Sequence, residues 1–181
     1  ESVRYLTRYR NYEIIVVDNG SSDENRALYQ KLVSEANGKY IYIPEQFNFS
    51  HMCNLGGANS EGEYYLFLND DTEVLDGKWL GRMLGQAELA HTGAVGVKLI
   101  YPQNNLIQHC GVINTGTGPV HAFGMMSDEP SYYYGRNKLT YNYLAVTAAC
   151  LMVSRAKFEE IGGFNENLAV AYNDMDFCFK L

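Results

Sequence analysis

Positive charge is scarce in this chain of 181 residues. Its 14 lysines and arginines against 21 acidic residues leave a formal charge of −7. That balance argues against a protein that grips nucleic acid by its phosphates. Cysteines are few and scattered, at Cys53, Cys110, Cys150 and Cys178, with no C-x-x-C pair. A zinc site or a disulfide framework is thereby disfavoured, and the four read as buried free thiols in a reducing compartment. No apolar run approaches the roughly 20 residues that cross a bilayer, and no signal peptide opens the chain. The expectation is a cytoplasmic protein, with attachment to the inner face of the cell membrane left to segments outside this chain. Internal repeats, linkers and low-complexity tracts are absent, and the length suits one domain able to bury its own core.

What is present reads as alternating strands and helices. "EIIVVD" (13–18) is a short β-branched run of the kind buried on both faces in a parallel sheet. "NGSSDE" follows with Asp23 as the expected cap of a helix over 24–36, whose inner face would carry Leu28, Leu32 and Ala36. "YIYI" (40–43) is a second strand, Ser50 caps a helix over 51–60, and "YYLFLN" (64–69) is a third strand. This order implies right-handed βαβ crossovers and a doubly wound sheet, with ligands collecting beyond the carboxyl ends of the strands.

The second half predicts a helix over 78–90 with Leu80, Met83, Leu84 and Ala87 inward, and strands over 94–100, 106–114 and 143–154. A short helix then ends at Gly162-Gly163, and "YNDMDFCFKL" opens a last helix. Residues 115–142, rich in glycine and tyrosine, read as a long binding loop. His109 and His121 have no partner at metal-ligand spacing and read as structural. Gly116, Gly118 and His121 fit either the ligand side of that loop or flexible packing. Tyr132 to Tyr134 read first as a half-buried edge, although flat aromatic faces also suit sugar rings.

Asp70 and Asp71 stand directly after the third strand. Adjacent carboxylates at a strand end make a hard oxygen site, suited to a divalent cation, Mn2+ or Mg2+, that completes its shell with phosphates and water. Taken alone, the pair fits a solvated turn better, since acidic pairs after strands are common.

Four stretches change that balance. "EIIVVDNGSSD", "NLGGANSEGEYYLFLNDDTEV", "AACLMVSRAKFEEIGGFNENL" and "YNDMDFCFKL" together resemble the inverting family 2 glycosyltransferases, and most resemble their bacterial rhamnosyltransferase-like branch. The resemblance implies an α/β GT-A fold (nucleotide-diphospho-sugar transferase-like): a doubly wound mixed sheet flanked by helices. It implies a hexosyltransferase-type enzyme moving a sugar from a UDP- or dTDP-sugar to a glycan or lipid-linked acceptor, in bacterial surface polysaccharide synthesis. Asp18 and Asn19 would line the nucleobase. Asn69-Asp70-Asp71 corresponds to the D-x-D element, with Asp71 on the metal and Asp70 beside the ribose or the metal. Asn54, at the head of the second stretch, falls among the substrate-binding residues. Asp174 would be the general base that takes the acceptor hydroxyl proton.

Against the family pattern, Asn69 replaces the first aspartate, Asp18-Asn19 an acidic pair, and Asn173 a glutamate, while His51 stands where relatives often carry arginine. The chain also starts after the family's first strand and stops before its closing helices, so residues 1–181 read as a single catalytic domain shortened at both ends. Two further readings stay open: a non-catalytic nucleotide- or sugar-binding domain of the same fold, and a sugar-nucleotide pyrophosphorylase.

Overall fold

A computed structural model describes residues 1–181. After a short helix α1 (Ser2–Leu6), strand β1 (Ile15–Asp18) leads into α2 (Asp23–Glu35) and then β2 (Lys39–Tyr42). β1 and β2 pair in parallel from Ile15 opposite Lys39 to Asp18 opposite Tyr42, the crossover expected of a strand–helix–strand unit. Two local details differ from the sequence reading. Ser22, not Asp23, caps α2 by accepting from the Asn25 N–H, and Asp23 occupies the first turn. The helix buries only Val33, and Leu28 is 50% exposed. The 3.6-residue periodicity is real, but only its Val33 end meets β2 and Gly38. A Cβ on Gly38 would fall 2.7 Å from the Ile14 carbonyl and 2.9 Å from Val33, so this close approach needs glycine.

Helix α3 (Phe49–Ala58) packs against β1. Its cap is Asn48, which accepts from the His51 N–H, whereas the expected cap Ser50 is buried inside the first turn and donates to the Leu168 carbonyl. β3 (Tyr64–Leu68) does not extend the β1–β2 pair. It runs antiparallel to a later strand, β9 (Cys150–Ser154), from Tyr64 opposite Ser154 to Leu68 opposite Cys150. Helix α4 (Trp79–Ala87) follows with Leu80 and Met83 inward as expected, and β4 (Val95–Gly96) pairs with the other edge of β9.

β9 is therefore the middle strand of three, covered on both faces. Alternate side chains point opposite ways along a strand. Leu151 and Val153 enter one cluster with Tyr65, Phe67, Phe158, Phe164 and Phe177, while Cys150 and Met152 meet Leu80 and Met83 of α4. An uninterrupted apolar run is what such two-sided burial requires. Phe164 stacks on Phe177 at 4.3 Å between ring centres and meets Phe67 edge-on at 5.0 Å, geometries the ring quadrupoles favour.

The two strands expected over 94–100 and 106–114 are each broken in two: β4 and β5 (Leu99–Ile100), then β6 (Ile107–His109) and β7 (Val112–Thr115). Gly111, at φ +106°, makes the second break. The loop over 115–142 is more ordered than its composition suggests. It holds β8 (Gly118–His121), which forms a hairpin with β7, and a 3-10 turn at Tyr133–Gly135. Helices α5 (Arg155–Glu160) and α6 (Asn173–Lys180) complete the chain, with Gly162 and Gly163 both at positive φ after α5. No helix is long and apolar enough to cross a membrane.

Candidate active site

The predicted strand over 143–154 supplies the site's frame by failing to be a strand in its first half. Only 150–154 joins the sheet. In residues 147–149 the backbone turns to other partners. The Thr147 N–H donates to His109 Nε2 at 3.4 Å, the Ala148 N–H to Asp174 Oδ2 at 3.3 Å, and the Ala149 carbonyl accepts from the Asn69 N–H at 3.0 Å. Three consecutive residues thus tie together the end of β6, the start of α6 and the turn that leaves β3.

That turn carries Asp70 and Asp71. Thr72 closes it, donating through Oγ1 to the Asn69 carbonyl at 2.7 Å. Both aspartates are exposed, and neither forms an ion pair with any lysine, arginine or histidine of the chain. Two adjacent anions without a protein counter-charge are the arrangement a divalent cation fits. No group of three or more His, Cys, Asp or Glu side chains comes together, so a cation held at this turn would find at most these two carboxylates from the protein.

Asp174 sits in the first turn of α6, half-buried. Its Oδ1 accepts from the Met175 N–H at 2.9 Å, and Tyr172 before it adopts left-handed backbone with φ 62°. Asp176, two residues on, is paired with Lys180 at 2.6 Å. Asp174 opens into a cleft of about 160 Å³ lined also by Val112, Val120, His121, Tyr172 and Met175. A larger hollow of about 340 Å³, between Arg8, Gly77, Lys78 and Arg82, contains none of these residues and no carboxylate.

Asp18 ends β1 and is buried. Its Oδ1 accepts from the Ser21 N–H at 2.9 Å and its Oδ2 from the Tyr40 hydroxyl. Burial works to raise its pKa, but those hydrogen bonds, with Arg26 nearby, outweigh it and hold the carboxyl below its ordinary value. Burial and the same contact push Tyr40 up to about 12. Asn19 donates both amide hydrogens to carbonyls after β2, Ile43 at 2.9 Å and Glu45 at 3.0 Å, which leaves its Oδ1 as the available atom. Asn54 is engaged at both ends of its amide: Nδ2 donates to the Phe164 carbonyl and to Glu166, and Oδ1 accepts from the Phe164 N–H. It clamps α3 to the loop after Gly163, where a Cβ would come 2.6 Å from Asn54 Oδ1. His51 contacts Glu166 at 3.2 Å in the same cluster.

His109 and His121, read from the sequence as structural, meet Nδ1 to Nδ1 at 2.8 Å with their rings nearly perpendicular. His109 is 1% exposed. Burial, with a smaller contribution from His121, lowers its pKa to about 3, so it is neutral. Spacing carried no sign of this pair, because the β7–β8 hairpin brings it together.

Comparisons with known proteins bear on the fold and the family. An uncharacterized protein, y4gI, of Sinorhizobium fredii is 40% identical over the whole chain, which covers 20% of that protein. The O-antigen biosynthesis protein RfbC of Myxococcus xanthus is 35% identical over the whole chain, which covers 14% of it. The chain thus spans a fifth or less of these curated relatives. Among solved structures, the mannosyltransferase PcManGT of Pyrobaculum calidifontis, in complex with GDP-Man and Mn2+, superposes with a TM-score of 0.65 at 14% identity, over 96% of this chain and 44% of that one. GalNAc-T7 with UDP, GalNAc and Mn2+ gives 0.72 at 16% identity, over 99% of this chain and 36% of that one. These likenesses carry the fold, which is the mixed α/β GT-A arrangement. The family model for glycosyl transferase family 2 matches residues 1–162, and the chain belongs to that family.

Proposed function

We propose that residues 1–181 form one catalytic domain of a metal-dependent inverting glycosyltransferase of the rhamnosyltransferase-like branch, transferring a sugar from a UDP- or dTDP-sugar to a glycan or lipid-linked acceptor. The observation that carries this reading is the 147–149 segment, which draws the unpaired Asp70–Asp71 turn and the half-buried Asp174 to the same end of the sheet. The family match ends at residue 162, so the role of Asp174 rests on its cleft and on the motif resemblance.

In this reading Asp71, with Asp70 beside it, would hold Mn2+ or Mg2+, which when bound would supply positive charge for the departing nucleoside diphosphate. The Mn2+ in two structural neighbours supports that choice. Asp18, fixed by Tyr40 and Ser21, and Asn19, through its Oδ1, form the nucleobase wall. Asn54, which the motif resemblance puts among the substrate-binding residues, has its amide engaged by Phe164 and Glu166 and would act by holding that loop on α3. Asp174 accepts the acceptor hydroxyl proton as that oxygen attacks the anomeric carbon. The bond to the diphosphate breaks on the opposite face, and the anomeric centre inverts. An O-antigen biosynthesis relative supports a role in bacterial surface polysaccharide synthesis.

The test is Asp174→Asn, assayed for nucleoside-diphosphate release and for product from a panel of UDP-, dTDP- and GDP-sugars. Donor affinity should persist while turnover falls about 10²- to 10⁴-fold, the usual contribution of a general base. Normal turnover would remove Asp174 from the mechanism.

A further inference from the structure

The cleft beside Asp174 has a second polar wall, and the hydrogen-bond network fixes its chemistry. His109 Nε2 faces two backbone donors, the Gly111 N–H at 3.2 Å and the Thr147 N–H at 3.4 Å. A ring nitrogen that meets two donors must be the unprotonated one. The single proton of neutral His109 therefore sits on Nδ1 and points at His121 Nδ1, 2.8 Å away. His121 Nδ1 must accept it, so the proton of His121 lies on Nε2, the opposite corner of the ring. His121 is exposed, lines the Asp174 cleft, and its Nε2 is bonded to no group of the chain. A buried histidine thus fixes the tautomer of an exposed one and directs its Nε2–H away from the core.

We propose that His121 is an acceptor-binding residue, whose Nε2–H holds an oxygen of the acceptor saccharide while a neighbouring hydroxyl of the same ring meets Asp174. His109 is the positioning residue that sets the His121 tautomer. This rests on the transferase reading of Asp174. The chemistry is that of a vicinal diol: one hydroxyl gives a proton to a carboxylate, and its neighbour accepts from an imidazole. The rest of the wall is apolar, from Val112, Val120, Met175 and the ring of Tyr172, which suits the C–H face of a pyranose. A cleft of about 160 Å³, open on one side, has room for part of one saccharide ring.

The experiment uses the full chain with 15N-labelled histidine. Long-range 1H–15N correlations should show Nδ1–H at His109 and Nε2–H at His121. Methyl α-L-rhamnopyranoside, methyl α-D-mannopyranoside and methyl β-D-galactopyranoside are then titrated in turn, with UDP, dTDP and GDP plus Mn2+ titrated separately. At least one glycoside should shift the His121 Nε2 signal. His121→Ala should weaken that glycoside about tenfold, the contribution of one hydrogen bond, with nucleotide affinity unchanged. The opposite tautomers would overturn the proposal. So would a nucleotide that binds while no glycoside reaches His121, which leaves the transferase reading standing. Glycoside shifts without any nucleotide binding would uphold the saccharide contact and sink the transferase reading instead. Silence from both would end both.

Discussion

Lowering the pH from 7 to 5 should cost the fold about 2 kcal/mol through His109 alone. Its pKa is near 3 in the folded chain and 6.5 when unfolded. The folded value is the depressed one, so the unfolded chain binds the proton more readily. Stability from this group is complete above about pH 6.5 and is lost as the pH falls toward 3. Between those limits the loss approaches about 1.4 kcal/mol per pH unit, and integration from pH 7 to 5 gives about 2 kcal/mol. A chain of 181 residues has an unfolding entropy of roughly 0.4 kcal/mol/K, so Tm should fall by about 5 °C. The assay is urea unfolding across pH 5–7 for wild type and His109→Gln. His51 and His91 are common to both proteins and drop out of the difference, while His121→Gln, carried through the same series, isolates what the contacting imidazole contributes. Carboxylates with lowered pKa values, such as Asp18 and Asp128, stay ionised in this window. The variant should start less stable yet lose about 2 kcal/mol less on acidification. Parallel curves would refute the claim that His109 is buried, neutral and unable to accept a proton without opening the fold.

Two other perturbations test the packing. Phe177 is fully buried against Phe164, so Phe177→Ala should cost about 3–5 kcal/mol by transfer and cavity terms; a loss under 1 kcal/mol in chemical denaturation would mean that α6 is not docked on this cluster. Burial raises the thiols of Cys53 and Cys150 to about 12 and of Cys178 to about 11, so all three should resist a disulfide reagent at pH 8 until the chain unfolds. Rapid labelling of any of them in the native protein would contradict the core described above.

The parts of the fold legible in the sequence are those governed by local rules. β1 and β3 announce themselves by short apolar runs, α5 by its two closing glycines, and Asp18, Asp70, Asp71 and Asp174 by their places at element ends. Long-range contacts decided the rest. Residues 143–149 have the composition of a strand, but His109, Asp174 and Asn69 take their hydrogen bonds, and those partners lie far away in the chain. β3 had the pattern of a parallel-sheet strand, yet its partner β9 comes from the far half of the chain and runs antiparallel. α2 shows a regular apolar face of which the fold covers one end. The histidine pair was illegible for a similar reason: neither residue has a local partner, and only the β7–β8 hairpin aims His121 at His109.

The central claim is that Asp71 and a divalent cation make a nucleotide-diphosphate site. The direct measurement is a thermal-shift screen of UDP, dTDP, GDP and CDP, each with and without Mn2+, on wild type and Asp71→Ala. Asp71 is exposed and unpaired, so the substitution itself should change stability by no more than about 0.5 kcal/mol. A nucleotide at about a hundred times its Kd should add about 2.7 kcal/mol, or roughly 7 °C for a chain of this size. The account predicts that shift for at least one nucleotide, only with Mn2+, and only in wild type. A shift of equal size without Mn2+, or in Asp71→Ala, would contradict it, as would no shift with any of the four.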